Sequence, residues 1–425
     1  MAMRSTEATP LMGVVLAGLI GNVMEWYDFA LYGYFATEIG AQFFPSADPR
    51  NSLLAAFVAF AAGFLLRPLG GVVLGLLADQ AGRRASLLIS VLGMAMATML
   101  IAVLPGYSRI GLMAPVLMVL LRLFQGLSAG GEYTTSIVFL CEHAPPERRG
   151  FIAVWGLWGS VLGMLMGSAV GAFLAAQLSP EQLSSWGWRI PFALGGLVAI
   201  VGWLLRRGIG SAAPPPQRKS HPLRDILQLH RGAVLRVMLL NVASSVGFYT
   251  AFVYAVSYVQ TIDRLPAEFA LNLNTRVMAL LLVFYPLSAW LSDRIGRRPM
   301  LISGSLLLAL GGIPVFLLLH SSSAWQITQG EILLMLAVAL LAGGKNPANV
   351  ELMPAAIRCT GLALAFNIAE GYFGGTTPLI ASWLLSQFRD PLMPGLWLAA
   401  SGVITLITVV WFTPETFRRS LNSSQ

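Results

Sequence analysis

Apolar runs of about twenty residues alternate with short polar segments from one end of the chain to the other. They fall near 12–36, 52–77, 86–105, 112–141, 151–177, 190–206, 233–259, 273–291, 299–319, 331–351, 360–387 and 394–413. A helix of roughly 20 apolar residues crosses a hydrocarbon core of roughly 30 Å. The pattern therefore predicts an all-α membrane protein with 12 transmembrane helices. One run breaks the rule. The stretch GNVMEWYDF, Gly21 to Phe29, places Glu25 and Asp28 inside the first predicted span. A carboxylate at a membrane helix centre costs roughly 2.5–3.5 kcal/mol on insertion scales, so these two need a reason to be there.

Composition agrees with the pattern. Of 425 residues, 56% are hydrophobic and 11% charged, with a mean hydropathy of +0.72. A soluble domain carries about 25% charged residues. The net charge of +8 does not point to nucleic acid, because of where it sits. Arg50, Arg109, Arg189, Arg264 and Arg389 lie in the odd-numbered gaps, with Arg276 at the adjoining start of the eighth run. The termini and even-numbered gaps hold about three times as many basic residues, which by the positive-inside rule places both termini in the cytoplasm. The opening MAMRSTEATP has one basic residue, Arg4, and no cleavage site follows the first apolar run, so that span is expected to be retained. Cys141 and Cys359 fall at predicted helix ends and suggest neither a disulfide framework nor a metal site.

Arg206 to Arg236 is the one long polar stretch, and its AAPPPQRKSHPLRD has the composition of a linker. It divides the chain into an N-terminal six-helix bundle over 1–206, a cytoplasmic linker over 207–231 and a C-terminal six-helix bundle over 232–425. The halves echo each other. GLLADQAGRR (Gly75 to Arg84) answers AWLSDRIGRR (Ala289 to Arg298), and EHAPPERRG (Glu142 to Gly150) answers ELMPAAIRCTG (Glu351 to Gly361). Two motifs recurring in order at nearly one offset make a parallel repeat. Transporters built this way hold their solute near the midplane, between the halves.

These motifs make the sequence resemble the major facilitator superfamily across the whole chain. Within it, GNVMEWYDFALYGYF (21–35), FLLRPLGGVVLG (64–75), LRLFQGLSAGGEY (121–133) and WGWRIPF (186–192) resemble the metabolite:proton symporter family. Proline/betaine, α-ketoglutarate, shikimate and citrate permeases belong to that family. The resemblance implies alternating access of two bundles, a cavity lined by spans 1, 4, 7 and 10, and a proton gradient in place of any cofactor. It also implies a multi-pass protein of the bacterial cytoplasmic (inner) membrane, acting as a monomer. Its partners are then a small-molecule metabolite, protons and the lipid bilayer, not nucleic acid. No enzyme activity is expected, and no Walker-type GxxxxGK[ST] is present.

The buried charges are the candidate chemistry. Asn22, Glu25 and Asp28 recur at i, i+3 and i+6 in span 1, and Arg122 falls near the middle of span 4. Arg122 is expected to bind a substrate carboxylate or a carboxylate of span 1. Glu25, Asp28 or Glu132 then carries the proton, since an intramembrane acid without a partner takes one up near neutrality. Tyr133, beside Glu132, joins the substrate-binding candidates. Arg67 either snorkels or neutralises a span 1 carboxylate. Lys345 in span 10 and Glu370 in span 11 are expected to touch; alternatively Lys345 joins Arg122 in offering two cations to a multi-carboxylate substrate. Asn241, Ser245 and Tyr249 of span 7 offer hydrogen bonds to a small polar solute. At the helix ends, Asp79, Arg83, Glu142 and Arg149 in one half and Asp293, Arg297, Glu351 and Arg358 in the other form the expected latch. The plain alternatives are interfacial ion pairs worth about 0–1 kcal/mol and a buried network that only fixes packing. Gly159, Gly163, Gly167 and Gly171, every fourth residue of span 5, predict a close-packed helix seam.

The chain is thus expected to be a proton-coupled symporter importing a small organic acid. A di- or tricarboxylate such as citrate comes first, because Arg67, Arg122 and Lys345 are three buried cations. VELMPAAIRCTGLALAF and FGGTTPLIASWL also look most like citrate-type permeases. A zwitterion (proline or betaine) or shikimate comes second. A transporter-like solute sensor is the alternative from another class.

Overall fold

The computed structural model describes residues 11–71, 73–74, 83–129, 132–196 and 229–421. In the first half these form α1 (Leu11–Tyr34), α2 (Pro49–Leu65), α3 (Arg83–Val103), α4 (Met113–Ser128), α5 (Glu132–His143) and α6 (Arg149–Gln177). The second half contributes α7 (Arg231–Tyr249), α8 (Ala267–Ile295), α9 (Arg297–Leu319), α10 (Ala324–Glu351), α11 (Arg358–Ile368), α12 (Thr377–Phe388) and α13 (Pro394–Ile407). Helix lies over part of every interval that the hydropathy pattern marks out. Among the described residues, seven helices are long and apolar enough to cross a membrane. The linker expected over 207–231 lies outside the described residues as far as position 228.

Two seams join the halves. Helix α6 packs along α1 on one side and along α8 of the other half on the other. Across the molecule, α2 packs against α12. The glycine row of span 5 serves the contact within the first half: a Cβ on Gly163 would lie 2.2 Å from the Val23 carbonyl oxygen, so α1 and α6 meet backbone to backbone. The WGWRIPF motif has a structural task. Arg189 donates to the carbonyls of Ala102 (3.1 Å) and Leu104 (2.7 Å), closing the C-terminal end of α3, and to Gln42 Oε1 (3.0 Å).

Span 4, expected to be one helix over 112–141, is interrupted. Helix α4 stops at Ser128, Ala129 is extended (φ −77°, ψ 108°), and helix resumes at Glu132. The Ser90 hydroxyl donates to the Ser128 carbonyl that the break frees. Interrupted helices are tolerated at membrane depth only where they are buried in protein or line a cavity. In the second half, α7 and α11 run on through π-helical turns, Thr250–Tyr254 and Ala369–Gly374, a distortion common at functional sites.

The crossing of α2 and α4 sets the position of Arg122. A Cβ on Gly126 would stand 1.8 Å from the Gly63 carbonyl oxygen, and one on Gly63 would stand 2.8 Å from the carbonyl oxygen of Arg122. No side chain fits between these backbones. Gly126→Leu should therefore destabilise the protein by at least about 1–3 kcal/mol, read as a lowered thermal unfolding midpoint in detergent. An unchanged midpoint would mean that the two helices are not in this contact.

Candidate functional site

Asn22, Glu25 and Asp28 fan out from α1 towards three different neighbours. The Asn22 amide donates to the Gly156 carbonyl of α6 (3.5 Å). Glu25 forms an ion pair with Arg67, whose guanidinium also lies over the rings of Trp26, Phe29 and Phe64 at 5.7, 5.1 and 5.4 Å. Of the two expectations for Arg67, neutralisation of a span 1 carboxylate is the one the structure contains. Asp28 Oδ2 accepts from the Thr98 hydroxyl of α3 (2.9 Å). Its Oδ1 is buried without a hydrogen-bond partner among the described residues.

Arg122 has no exposed surface. Its guanidinium lies over Tyr32, Phe29 and Phe60 at 4.5, 5.1 and 5.2 Å, and Nη1 donates to Gln125 Oε1 (2.7 Å). Nε and Nη2 have no hydrogen-bond partner among the described residues. A buried charged group with unmet donors is costly unless a partner meets them.

The second half meets this cluster through Tyr249. Its ring packs against Phe64 (5.2 Å), Phe60 (6.2 Å) and Trp26 (6.4 Å), all from the first half. It lies within electrostatic reach of Glu370 on one side and of Arg67, Glu25 and Arg122 on the other. Its hydroxyl is buried without a partner among the described residues. Glu370 Oε2 accepts from the Ser245 hydroxyl (2.6 Å). The expected Lys345–Glu370 contact is not formed: Lys345 feels the charge of Glu370 but makes no ion pair among the described residues, and its ammonium lies 5.9 Å from the Phe366 ring. Ser245 occupies the place on the carboxylate that sequence reasoning gave to the lysine. Tyr133 stacks on Phe366 (4.7 Å) and reaches Asn346 Oδ1 (3.4 Å). Asn241 spends its amide on Asn349 and the Val237 carbonyl, 2.9 and 2.7 Å away. The structure thus brings Glu25, Arg67, Arg122 and Tyr249 together, with Glu370, Ser245 and Lys345 beside them, and sets Asn22 and Asn241 to helix contacts. The side chain of Glu132 lies outside the described residues.

Charged helix ends form a separate cluster. Arg149 pairs with Glu351 (2.7 Å) and Arg358 with Glu142 (2.8 Å), each pair crossing between the halves. Arg297 holds Asp293 (2.6 Å) and reaches Glu351 (3.5 Å). Both oxygens of Asp293 accept backbone N–H groups at the start of α6, from Gly150 (2.9 Å) and Phe151 (2.8 Å). This places a negative charge on a helix N-terminus of the opposite half, where the macrodipole favours it. Sequence reasoning missed Glu415. It accepts backbone N–H groups from Arg297 (2.9 Å) and Arg298 (3.0 Å), while Thr416 donates to Glu351 (2.6 Å). Burial pushes the Glu415 carboxyl up, but the backbone donors of Arg297, Phe417, Arg298 and Thr416 outweigh it and hold the group below its ordinary range. Its contribution is thus present above the ordinary carboxylate pKa and is lost as pH falls through the lowered value. Asp79 and the side chain of Arg83 lie outside the described residues.

A model of the Major Facilitator Superfamily matches residues 14–375. A proline/betaine transporter of Salmonella typhimurium is 35% identical, over 97% of this chain and 85% of its own length. A citrate-proton symporter of Klebsiella pneumoniae is 34% identical, over 98% of this chain and 94% of its own. Identity alone therefore does not separate the two. The crystal structure of a D-xylose-proton symporter superposes with a TM-score of 0.77, at 21% identity, over 97% of this chain and all of that one; it shares the fold.

Asp293→Asn removes the charge on which α6 and Arg297 converge. Spin labels placed across the Arg149–Glu351 contact should then report a longer, broader distance distribution by pulsed electron paramagnetic resonance. A distribution identical to that of the parent protein would show that this carboxylate does not hold the ends together.

Proposed function

Because this chain belongs to the major facilitator superfamily, we propose that it is a proton-coupled symporter. It imports a small carboxylate-bearing metabolite through a bacterial inner membrane, with twelve spans, two six-helix bundles and both termini in the cytoplasm. The observation that carries the proposal is Arg122: fully buried, with two unmet donors, among aromatic rings and beside the meeting of the two halves. Two parallel N–H groups of a guanidinium suit a carboxylate better than any other small anion short of phosphate. The contacts that cross between the halves at the charged ends are the inward latch on this reading. Tyr34 to Met278 (3.2 Å) and Asn274 to Ser168 (2.9 Å) hold the opposite end. Alternating access then consists of releasing one set while the other stays closed.

Charge matching bears on the substrate. The sequence offers three buried cations, but Arg67 is spent on Glu25, Arg122 has Asp28 within electrostatic reach, and Lys345 has Glu370. With every group ionised the site is neutral. A neutral site suits a zwitterion, such as betaine or proline, better than a bare trianion. The carboxylate would lie on Arg122 and the cationic end near Tyr249 and Glu370. The names of the most similar relatives fit this choice as well as they fit citrate. A di- or tricarboxylate stays as the second reading, favoured by Lys345, which makes no ion pair among the described residues. It would require protons to enter with the anion.

Glu25 and Asp28 differ as proton carriers. Glu25 already faces a full positive charge, whereas Asp28 has one hydroxyl donor and one unmet oxygen. Asp28→Asn is therefore expected to abolish gradient-driven accumulation in proteoliposomes while sparing exchange of labelled for unlabelled solute. Full uphill uptake by that variant would rule Asp28 out. Parallel currents with betaine, proline, citrate, tricarballylate, α-ketoglutarate and shikimate under an inward proton gradient test the substrate class. A response to betaine or proline, lost in Arg122→Ala, supports the first reading. A response to citrate alone, lost in Lys345→Ala, supports the second. Binding without accumulation for every solute would make the protein a solute sensor instead.

A further inference from the structure

The chain of hydrogen bonds between Asp28 and Arg122 has two links that transport chemistry alone does not demand. Arg122 Nη1 donates to Gln125 Oε1 (2.7 Å), Gln125 Nε2 donates to Thr98 Oγ1 (2.9 Å), and Thr98 Oγ1 lies 2.9 Å from Asp28 Oδ2. Thr98 and Gln125 have no exposed surface. The Thr98 hydroxyl owns one proton but has two acceptors at the same distance, Asp28 Oδ2 and the Met94 carbonyl oxygen, each 2.9 Å away. From these contacts we propose that Thr98 and Gln125 are positioning residues that carry the protonation state of Asp28 to the guanidinium of Arg122, a role that rests on the symport reading above.

The donor inventory makes the switch specific. A hydroxyl has one donor and two acceptor lone pairs. When Asp28 is ionised, Thr98 turns its proton to Oδ2 and accepts from Gln125. When a proton from the outer solution binds the carboxyl, the acid itself donates to Thr98 Oγ1. The hydroxyl then turns to the Met94 carbonyl, while Gln125 keeps its bond. The Thr98 hydroxyl and the Gln125 donor that reaches it are met in both states, so this part of the network has two settled arrangements rather than one good and one broken. The amide of Gln125 is held at both ends, and its oxygen fixes the edge of Arg122 that does not face the guest. Repolarising that amide alters the hold on Arg122, and with it the carboxylate that Nε and Nη2 receive.

The surroundings leave little else for Asp28 to answer to. On its own helix the neighbouring phenol, Tyr27, donates to the Pro191 carbonyl (3.0 Å). Helix α3 presents Thr98 and α4 presents Arg122, which is the charged group that acts on Asp28. The segment ending at residue 196 brings only a glycine: a Cβ on Gly195 would stand 2.5 Å from Asp28 Oδ1. Only a residue without a side chain fits there, so no further side chain of that segment competes with Thr98 for the carboxyl.

Thr98→Val keeps the shape and removes the hydroxyl; Thr98→Ser restores it. In proteoliposomes with radiolabelled betaine and citrate run in parallel, solute affinity in the parent protein should be pH-dependent, as linkage between solute and proton requires. Thr98→Val and Gln125→Leu should flatten that dependence by about tenfold, the scale of losing one charged hydrogen bond, and Thr98→Ser should recover it. A second readout needs no solute. The infrared band of a protonated carboxyl, assigned to Asp28 by its loss in Asp28→Asn, should shift in Thr98→Val and return in Thr98→Ser. A Thr98→Val protein with the parent's pH dependence and an unshifted band would overturn the inference and leave the symport reading standing. A parent protein whose solute affinity ignores pH would sink the symport reading, and this inference with it.

Discussion

An ionised group moved out of water must meet an opposite charge, take up a proton or collect enough hydrogen bonds to replace its hydration. Everything distinctive in this chain follows from that constraint acting inside an apolar bundle. Glu25 is answered by Arg67, Arg149 by Glu351, and Asp293 by Arg297 together with two backbone N–H groups. Other charged groups are answered only in part: Arg67 and Arg122 each keep two donors unmet, and Asp28, Glu38 and Glu331 each keep one oxygen unmet, among the described residues. Arg122 and Asp28 differ from Arg67 in having no ion pair among those residues, and they are joined through Gln125 and Thr98. On the proposed reading these two are where a guest anion and a proton complete the set.

The charged helix ends obey the same rule. An exposed pair is worth little singly, but apart from Glu142 these side chains are buried, and they share partners. Glu351 receives Arg149, Arg297 and the Thr416 hydroxyl, and Glu415 ties the start of α9 to the segment after the last helix. A network with common members opens as a unit, because losing one pair strands the charge of its neighbour. That is the behaviour a two-state bundle motion needs, and a scatter of independent pairs would not supply it.

Much of this was legible in the residues, and the boundary between what was and was not is physical. Hydropathy depends on side chains one at a time, so the helical intervals emerged from the pattern. Buried charge is rare, so Glu25, Asp28, Arg67, Arg122, Lys345 and Glu370 stood out. Partner choice depends on rotation and depth, which spacing does not reveal. The i, i+3, i+6 series of α1 suggested one face, yet its members turn to three different helices. Lys345 was matched to Glu370 by depth, but Ser245 holds that carboxylate. Thr98 and Gln125 escaped notice because single hydroxyls and amides in apolar helices usually bond their own backbone. One signal did exist: Gln125 stands three residues after Arg122, a spacing that puts the two side chains on one face. The break after Ser128 was likewise missed, because the hydrophobicity of the run continues past it.

The pairing pattern also constrains how protons and solute can be linked. If Asp28 and Arg122 were in direct contact, a carboxylate arriving at Arg122 would compete with Asp28 for the same donors, and binding would simply displace one anion by another. The Gln125–Thr98 bridge separates the two sites while keeping them in one hydrogen-bonded unit. On the proposed reading, the guest takes Nε and Nη2 without dislodging Asp28, and its negative charge makes a second ionised carboxylate in the same low-dielectric pocket more expensive. Uptake of a proton on Asp28 relieves that repulsion. Binding of the anion and binding of the proton then favour each other, which is the thermodynamic requirement for symport as opposed to exchange.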